Sequence, residues 1–455
     1  MAHTSAMTRF PRRFRWPRVV TALLLFAIFG APSIAQQQAG QPAPQDAEQT
    51  AQAAKLPLSP ASTVKSEIRA ITFFVDLDRA DYQNQLADAF KALHMARKVF
   101  TSHGYVVQRL CVATQPFAEY TKDLSAAQAL AFFQRLDALA AKEDVEISIG
   151  PALYHPRDGD AQAELLTSVL LNTKFISGSI VVADKDGLRS NASRAAARVI
   201  KKLSEGTANS EGTLRFAALA MVPPLVPAPS AAYLDGFGHQ FAISLQSASL
   251  VDSVATATPK PQSLKQDLTD AFAAEAYDVD ALAGRVDGET GWAYVGVDLS
   301  PWPAKDASIG EALEIISEHH VGSAEAIAAA KMISSAIYGV SLKQTGFGAV
   351  ALPILEDRRL AQRWSEGRIS IDTLLDYFSA GSTGLDAVPL PEDVTASQLE
   401  LIIVNAASAA YHARRAMQIR LVPVAGKLAG QRTDFNDLRL VNVMLQPLNY
   451  PRAKQ

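Results

Sequence analysis

The stretch "IRAITFFVDL" (68–77), followed at once by "ADYQNQLADAFKALHMARKVFTSHG" (80–104), decides the fold class. The first run is apolar almost throughout and rich in Ile, Phe and Val, as a strand covered on both faces must be. The second places Leu86, Phe90, Leu93 and Phe100 at helical spacing and stops at Gly104. A fully buried strand feeding an amphipathic helix is the first half of a βαβ unit.

The alternation repeats along the chain. Strands are predicted at 105–114, 145–153, 175–183, 213–223, 240–248, 291–300, 347–355, 417–424 and 438–445. Helices are predicted at 125–143 (with Ser125 as N-cap), 160–172, 190–206, 261–283, 307–319, 322–336, 357–366, 370–379 and 395–413. Roughly ten strands with helices between most of them argue for an α/β protein with mainly parallel strands. No internal repeat and no second linker interrupts the pattern, so one large domain is expected over 67–455.

The N-terminal residues have a separate chemistry. Arg9, Arg12, Arg13, Arg15 and Arg18 precede the uncharged run "VVTALLLFAIFGAP" (19–32), and "SIA" (33–35) offers small residues for cleavage. Residues 1–35 therefore read as a Sec-type signal peptide, with an uncleaved anchor as the alternative. Residues 36–66, rich in Ala, Gln and Pro, read as a disordered tether. A periplasmic or secreted protein follows, with no membrane insertion after cleavage.

The whole chain carries 43 basic and 46 acidic residues, a formal charge of −3. Removing residues 1–35, with five Arg and no acid, leaves 38 against 46, or −8. Neither nucleic acid nor an anionic membrane surface is the expected partner, because both call for a basic protein. The single cysteine, Cys111, excludes an internal disulfide, a Cys-based zinc site, an Fe–S cluster and dithiol chemistry.

Several strings bear on chemistry. "GFGAVA" (346–351) fits G-x-G-x-x-A, but Pro353 and the β-rich residues after it deny the helix that a nucleotide fingerprint must open. No P-loop, H-E-x-x-H or G-x-S-x-G occurs. "DKDG" (184–187) reads as a turn, and the pair His319–His320 as a helix end. "GVDLSPWPAKDASIGEALE" (296–314) is richer. It ends a strand at Asp298, which can act as base or metal ligand, and Ser300 can hold a substrate oxygen. "GSTGLDAVPLPED" (381–393) brings Asp386 after a run of small residues. A helix-entry loop built from turn residues explains 296–314 equally well; in 381–393, Glu392 and Asp393 read as caps of the helix at 395, an explanation that fits Asp386 less well.

Taken in order, "IRAITFFVDL", "QRLCVATQP", "SIGPAL", "GSIVVADKDGLRSN", "GFGHQFAI", "GVDLSPWP", "HHVGS", "TGFGAVALPILED" and "GSTGLDAVPLPED" resemble the UPF0210 (DUF711) family over residues 66–436. The resemblance implies a ten-stranded α/β barrel like that of pyruvate formate-lyase-like enzymes, a homodimer, and a pocket at the barrel mouth. It implies no glycyl radical, since Cys111 lies in an early strand. Where the family reads H-G-x-G-E, this chain has Asp235-Gly236-Phe237-Gly238-His239. A carboxylate and an imidazole flanking a Gly turn suit an acid–base pair or two metal ligands. The family's C-S-V-G-L-D has become Gly381-Ser382-Thr383-Gly384-Leu385-Asp386, which removes any thiol role there.

Two functions are compatible with these residues. One is an enzyme acting on a small polar molecule, with Asp235, His239, Asp298 and Asp386 as catalytic groups at one mouth. Ser300, Gln344, Gly236 and Gly238 would then position substrate, with a divalent metal as an optional cofactor of unknown identity. The other is a non-catalytic binding protein for a small-molecule ligand.

Overall fold

The computed structural model describes residues 65–451 except 156, 259–261 and 305. The signal peptide and all but the last two residues of the tether lie outside the described residues. The strands are β1 (Glu67–Val75), β2 (Leu110–Thr114), β3 (Glu146–Ala152), β4 (Ile176–Asp184), β5 (Gly187–Leu188), β6 (Phe216–Ala220), β7 (Gln240–Gln246), β8 (Ala293–Asp298), β9 (Val388–Pro391), β10 (Met417–Ile419) and β11 (Leu421–Val424). Nine of them make one sheet in the order β10-β6-β4-β3-β2-β1-β7-β8, with β5 paired to β4. β9 and β11 form a separate parallel pair.

Direction within the sheet matters for the site. β1, β2, β3, β4 and β6 are mutually parallel. β7 runs antiparallel to β1, β8 follows β7, and β10 runs antiparallel to β6. One edge of the sheet therefore carries the amino ends of the five parallel strands together with the carboxyl ends of β7, β8 and β10.

Both faces of the sheet are buried. Ile71, Phe73 and Val75 of β1 pack with the outer helices, among them Tyr82–Ser102 and Leu264–Thr290. The inner face meets the chain's own segment 222–234. Val226, Ala228 and Ala231 cluster there with Ala217, Leu219, Trp302 and Phe347. Hydroxyls on the inner face fix this plug: Ser148 Oγ donates to the Ala232 carbonyl at 2.7 Å and Ser177 Oγ to the Pro229 carbonyl at 3.1 Å. The carbonyls of a buried loop need such partners.

The single α/β domain is thus borne out, but the closed ten-stranded barrel is not. The sheet is a curled, mixed half-barrel, and beyond β8 the chain continues through isolated bridges, Val297–Gln344, Val350–Ser382 and Pro353–Asp386. The strand expected at 347–355 is those bridges plus a short turn of 3₁₀ helix, Ile354–Glu356. Pro353 lacks the N–H a ladder needs. The strand expected at 438–445 is irregular. The run 417–424 divides at Arg420, whose N–H bonds to Leu385 O while its carbonyl accepts from Val388, passing the chain from one sheet to the other. The predicted cap at Ser125 is a full capping box with Gln128.

Candidate functional site

The loop Asp235–His239 precedes β7, so it lies by the carboxyl end of β1. His239 N–H bonds to Phe74 O at 3.0 Å, and the residue adopts a positive φ of 68°. Gly238 is required by contact: a Cβ there would stand 2.6 Å from Asp76 N. Gly236 is required by its φ of +111°, with open space around it. Asp235 is exposed and accepts from Tyr154 OH at 2.6 Å. His239 stacks flat on Trp292, ring centroids 4.1 Å apart, with Nε2 3.6 Å from Asp88. Each side chain has its own partner, and no hydrogen bond or ion pair joins the two among the described residues.

Asp298 and Ser300 lie at the other edge. β8 carries them there because it runs against β1. Asp298 is fully buried, and its Oδ1 accepts from Ser300 N at 3.0 Å, Ser300 Oγ at 2.6 Å and Gly348 N at 3.2 Å. Among the described residues its Oδ2 has no hydrogen-bond partner. Burial pushes the carboxyl above its ordinary value, and the Ser300 and Gly348 donors only partly offset this. Ser300 Oγ in turn accepts from Ala349 N at 3.2 Å. The pair therefore fastens the loop 346–349, which crosses so closely that a Cβ on Gly346 would fall 2.4 Å from Asp298 Cγ. Gln344 donates to the carbonyls of Ile337 and Val340 at 3.1 and 2.7 Å, closing the helix Ala324–Tyr338.

Asp386 belongs to a buried ionic cluster. It pairs with Arg420 Nε and accepts from Gln418 Nε2 at 3.3 Å. Arg420 Nη2 reaches Glu356 at 2.8 Å, and Arg69 Nη2 stands 3.7 Å from the same carboxylate. The Arg69 guanidinium lies over the Trp302 ring, 3.4 Å from its centroid. Burial pulls Arg420 down, but Asp386 and Glu356 outweigh it and hold the guanidinium above its ordinary value. Arg69 has less compensation: burial pushes it down to about 10 despite Glu356, and among the described residues its Nη1 has no hydrogen-bond partner.

A cavity of about 410 Å³ adjoins this cluster. Arg69, Arg109, Arg215, Arg420 and Arg439 line it, joined by Lys174 and Arg358, against Glu146, Glu356 and Asp437. Among the described residues that is seven cations to three carboxylates, with Arg420 and Arg358 also paired to Asp386 and Glu311, on a chain whose whole formal charge is −3. Gln246 and Gln418 complete its polar wall. A broader depression elsewhere, lined by Arg79, Asp123, Glu119 and His155, has no such excess: Arg79 pairs with Asp123 at 2.5 Å and His155 with Glu119 at 3.5 Å. Among the described residues no three His, Cys, Asp or Glu side chains converge as a metal-ligand set. The cavity's charged lining is predominantly cationic.

Of the residues singled out from sequence, Asp386 backs this cavity through Arg420, and Asp298 and Ser300 share its edge. Asp235, Gly236, Gly238 and His239 lie across the sheet. Sequence reading passed over Arg69, Glu356 and Arg420. The available signal was an arginine inside an apolar strand, "IRAI" and "QIRLV", since a buried Arg needs a partner or a task.

A family model described as "Uncharacterised ACR (DUF711)" matches residues 62–436. A "UPF0210 protein" of Pyrobaculum arsenaticum is 30% identical over 405 residues, covering 82% of this chain and 87% of that one. Another, "UPF0210 protein PAE3581" of Pyrobaculum aerophilum, is 28% identical over the same length. A bacterial relative, the "UPF0210 protein" of Syntrophobacter fumaroxidans, is 25% identical over 409 residues.

Proposed function

The chain belongs to the DUF711 (UPF0210) family, and from that premise we propose that it is a binding protein for a small organic anion, held in the arginine-lined cavity. The observation that carries this reading is Arg69. A guanidinium at 5% exposure, on a wall where seven described cations face three carboxylates, is costly to keep charged, and an anion in the cavity offsets that cost. Arg109 and Arg439 on the same wall, each beside a single carboxylate, extend the positive field.

Acid–base catalysis by Asp235, His239, Asp298 and Asp386 acting together would need them on one edge of the sheet. The carboxylates at the cavity favour binding instead, because Arg420 and Arg69 hold Glu356 ionised, below its ordinary range, and a carboxylate so held is a weak base. The test is equilibrium dialysis of the full chain against labelled orthophosphate at low ionic strength, beside Arg69→Met. Saturable binding that Arg69→Met abolishes supports the reading. Equal binding by both chains would end it.

Export by residues 1–35 and a periplasmic location belong to the same proposal. Cell fractionation with the N-terminal mass of the purified protein checks both. The homodimer is carried by the family resemblance and is checked by light scattering.

A further inference from the structure

We infer that the segment 436–439 is a flap on the arginine-lined cavity, and that an incoming anion takes the place of Asp437 on Arg439; this rests on the binding reading above. Asp437, Leu438, Arg439, Leu440 and Val441 are consecutive in the chain, and all line the cavity. Both ends of the segment are anchored. Phe435 is buried, and the Asn442 amide bridges it, accepting from Phe435 N at 2.7 Å and donating to Phe435 O at 3.2 Å. On the far side Leu440 packs on the core, and Val441 N–H donates to Leu355 O at 2.7 Å.

Between these anchors the chain is tied to itself. Arg439 N–H donates to Asp437 Oδ1 at 2.9 Å, its Nε to the two carboxylate oxygens at 3.0 and 3.1 Å, and its Nη2 to Oδ2 at 2.6 Å. Leu440 N–H donates to Asp437 O at 3.0 Å. Among the described residues no hydrogen bond or ion pair joins 436–439 to any residue outside 436–440. Leu438 at the tip is almost wholly exposed, so nothing packs the tip down. A loop with so few outside contacts opens locally at low cost.

The Asp437–Arg439 pair is an exchangeable part of the lining. Arg420 is buried between Asp386 and Glu356, Arg358 pairs with Glu311, and Arg215 donates to the carbonyls of Leu170 and Ile176. Freeing any of these severs contacts between separate elements. The Arg439 side chain is 66% exposed and that of Asp437 22%. A pair so placed contributes little to stability, and a ligand's oxygens can replace its carboxylate without disturbing the fold. Arg439 chiefly, against burial, and Arg109 in smaller part hold the Asp437 carboxyl below its ordinary range. Asp437 thus already serves two of the wall's arginines as their anion. A bound anion serves them in its place, with Arg439 and the flap drawn in over it.

Timed trypsin digestion of the full chain, read by peptide mass spectrometry, tests this with orthophosphate as the probe. Equilibrium dialysis sets the saturating concentration. Bound orthophosphate should slow cleavage after Arg439 about fivefold or more, because cleavage follows the population of the open segment. Cleavage after Arg157, in an exposed turn outside the cavity lining, should not change. Asp437→Asn should bind orthophosphate about two- to fivefold tighter, since the competing carboxylate is gone. Equal cleavage after Arg439 with and without bound orthophosphate, or none in either state, overturns the flap and spares the binding reading, and neither result needs a variant to fold. Slowing at both sites alike, the mark of general stabilisation by a ligand, also overturns it. So does Asp437→Asn binding no tighter than the wild-type chain. No orthophosphate bound by the wild-type chain overturns the binding reading and this inference together.

Discussion

Replacing Arg420 by Met should destabilise the chain by about 3–5 kcal/mol, the cost typical of removing one member of a buried ionic cluster. The residue is 4% exposed, and Asp386 opposite it is 1% exposed. Met keeps most of the aliphatic stem, so packing changes little. What changes is charge. Asp386, whose Oδ2 is already without a partner, keeps only the Gln418 amide. Glu356 keeps only Arg69, at 3.7 Å. Adding Asp386→Asn removes one stranded charge and should recover part of the loss, so the two single changes will not add. Urea unfolding followed by fluorescence reads both, as a lowered midpoint at unchanged slope. A loss below about 1 kcal/mol for Arg420→Met would place the cluster in the class of solvated surface pairs. Arg69, which shares Glu356 with Arg420, would then be well solvated and in no need of an anion.

Glu275, 8% exposed, is pushed by burial to about 7, with Tyr105 and Ser66 donors offsetting only part. A carboxyl raised on folding contributes stability present below its unfolded value of 4.5 and lost as pH rises through about 7. Glu275→Gln should flatten wild-type stability between these limits by about 3 kcal/mol, read from urea midpoints across pH; parallel curves would refute it. Asp298→Asn keeps the Oδ1 acceptor and removes a charge that burial disfavours, so it should raise the melting temperature at pH 7, with the gain shrinking as pH falls; a lower melting temperature would mean that the Oδ2 charge has a partner in solution. Gly346→Ala meets both the 2.4 Å contact with Asp298 and a φ of +79°, and should cost roughly 2–4 kcal/mol in the same assay. His239→Ala, across the sheet, should leave orthophosphate affinity within about twofold, since nothing on the cavity wall touches it.

Much of the fold was legible because local patterns and tertiary burial agree. "IRAITFFV" is apolar on both faces since helices cover one side and the 222–234 plug the other. The helices at 160–172 and 190–206 coincide with the predicted ranges for the same reason. Legibility failed where tertiary contacts replace local preference. "VPLP" became β9 despite two prolines because its partner β11 supplies the pairing. "FGAVALPIL" (347–355) reads as a strand and is a set of bridges, since Asp298 and Ser300 claim the N–H groups of Gly348 and Ala349. The site was harder. Asp235–His239 attracted notice through glycines that serve a turn, while strand direction, invisible in the sequence, puts Asp298 on the opposite edge. Arg69 and Arg420 are far apart in sequence and meet only through Glu356.

The most direct measurement is a crystal structure of the full chain grown with D-gluconate and, separately, with orthophosphate. Anionic oxygens within hydrogen-bond distance of the arginines that line the cavity, Arg109 and Arg439 among them, are the expected result. Both ligands seated instead beside Asp235 and His239, with the arginine-lined cavity holding water alone, would contradict it.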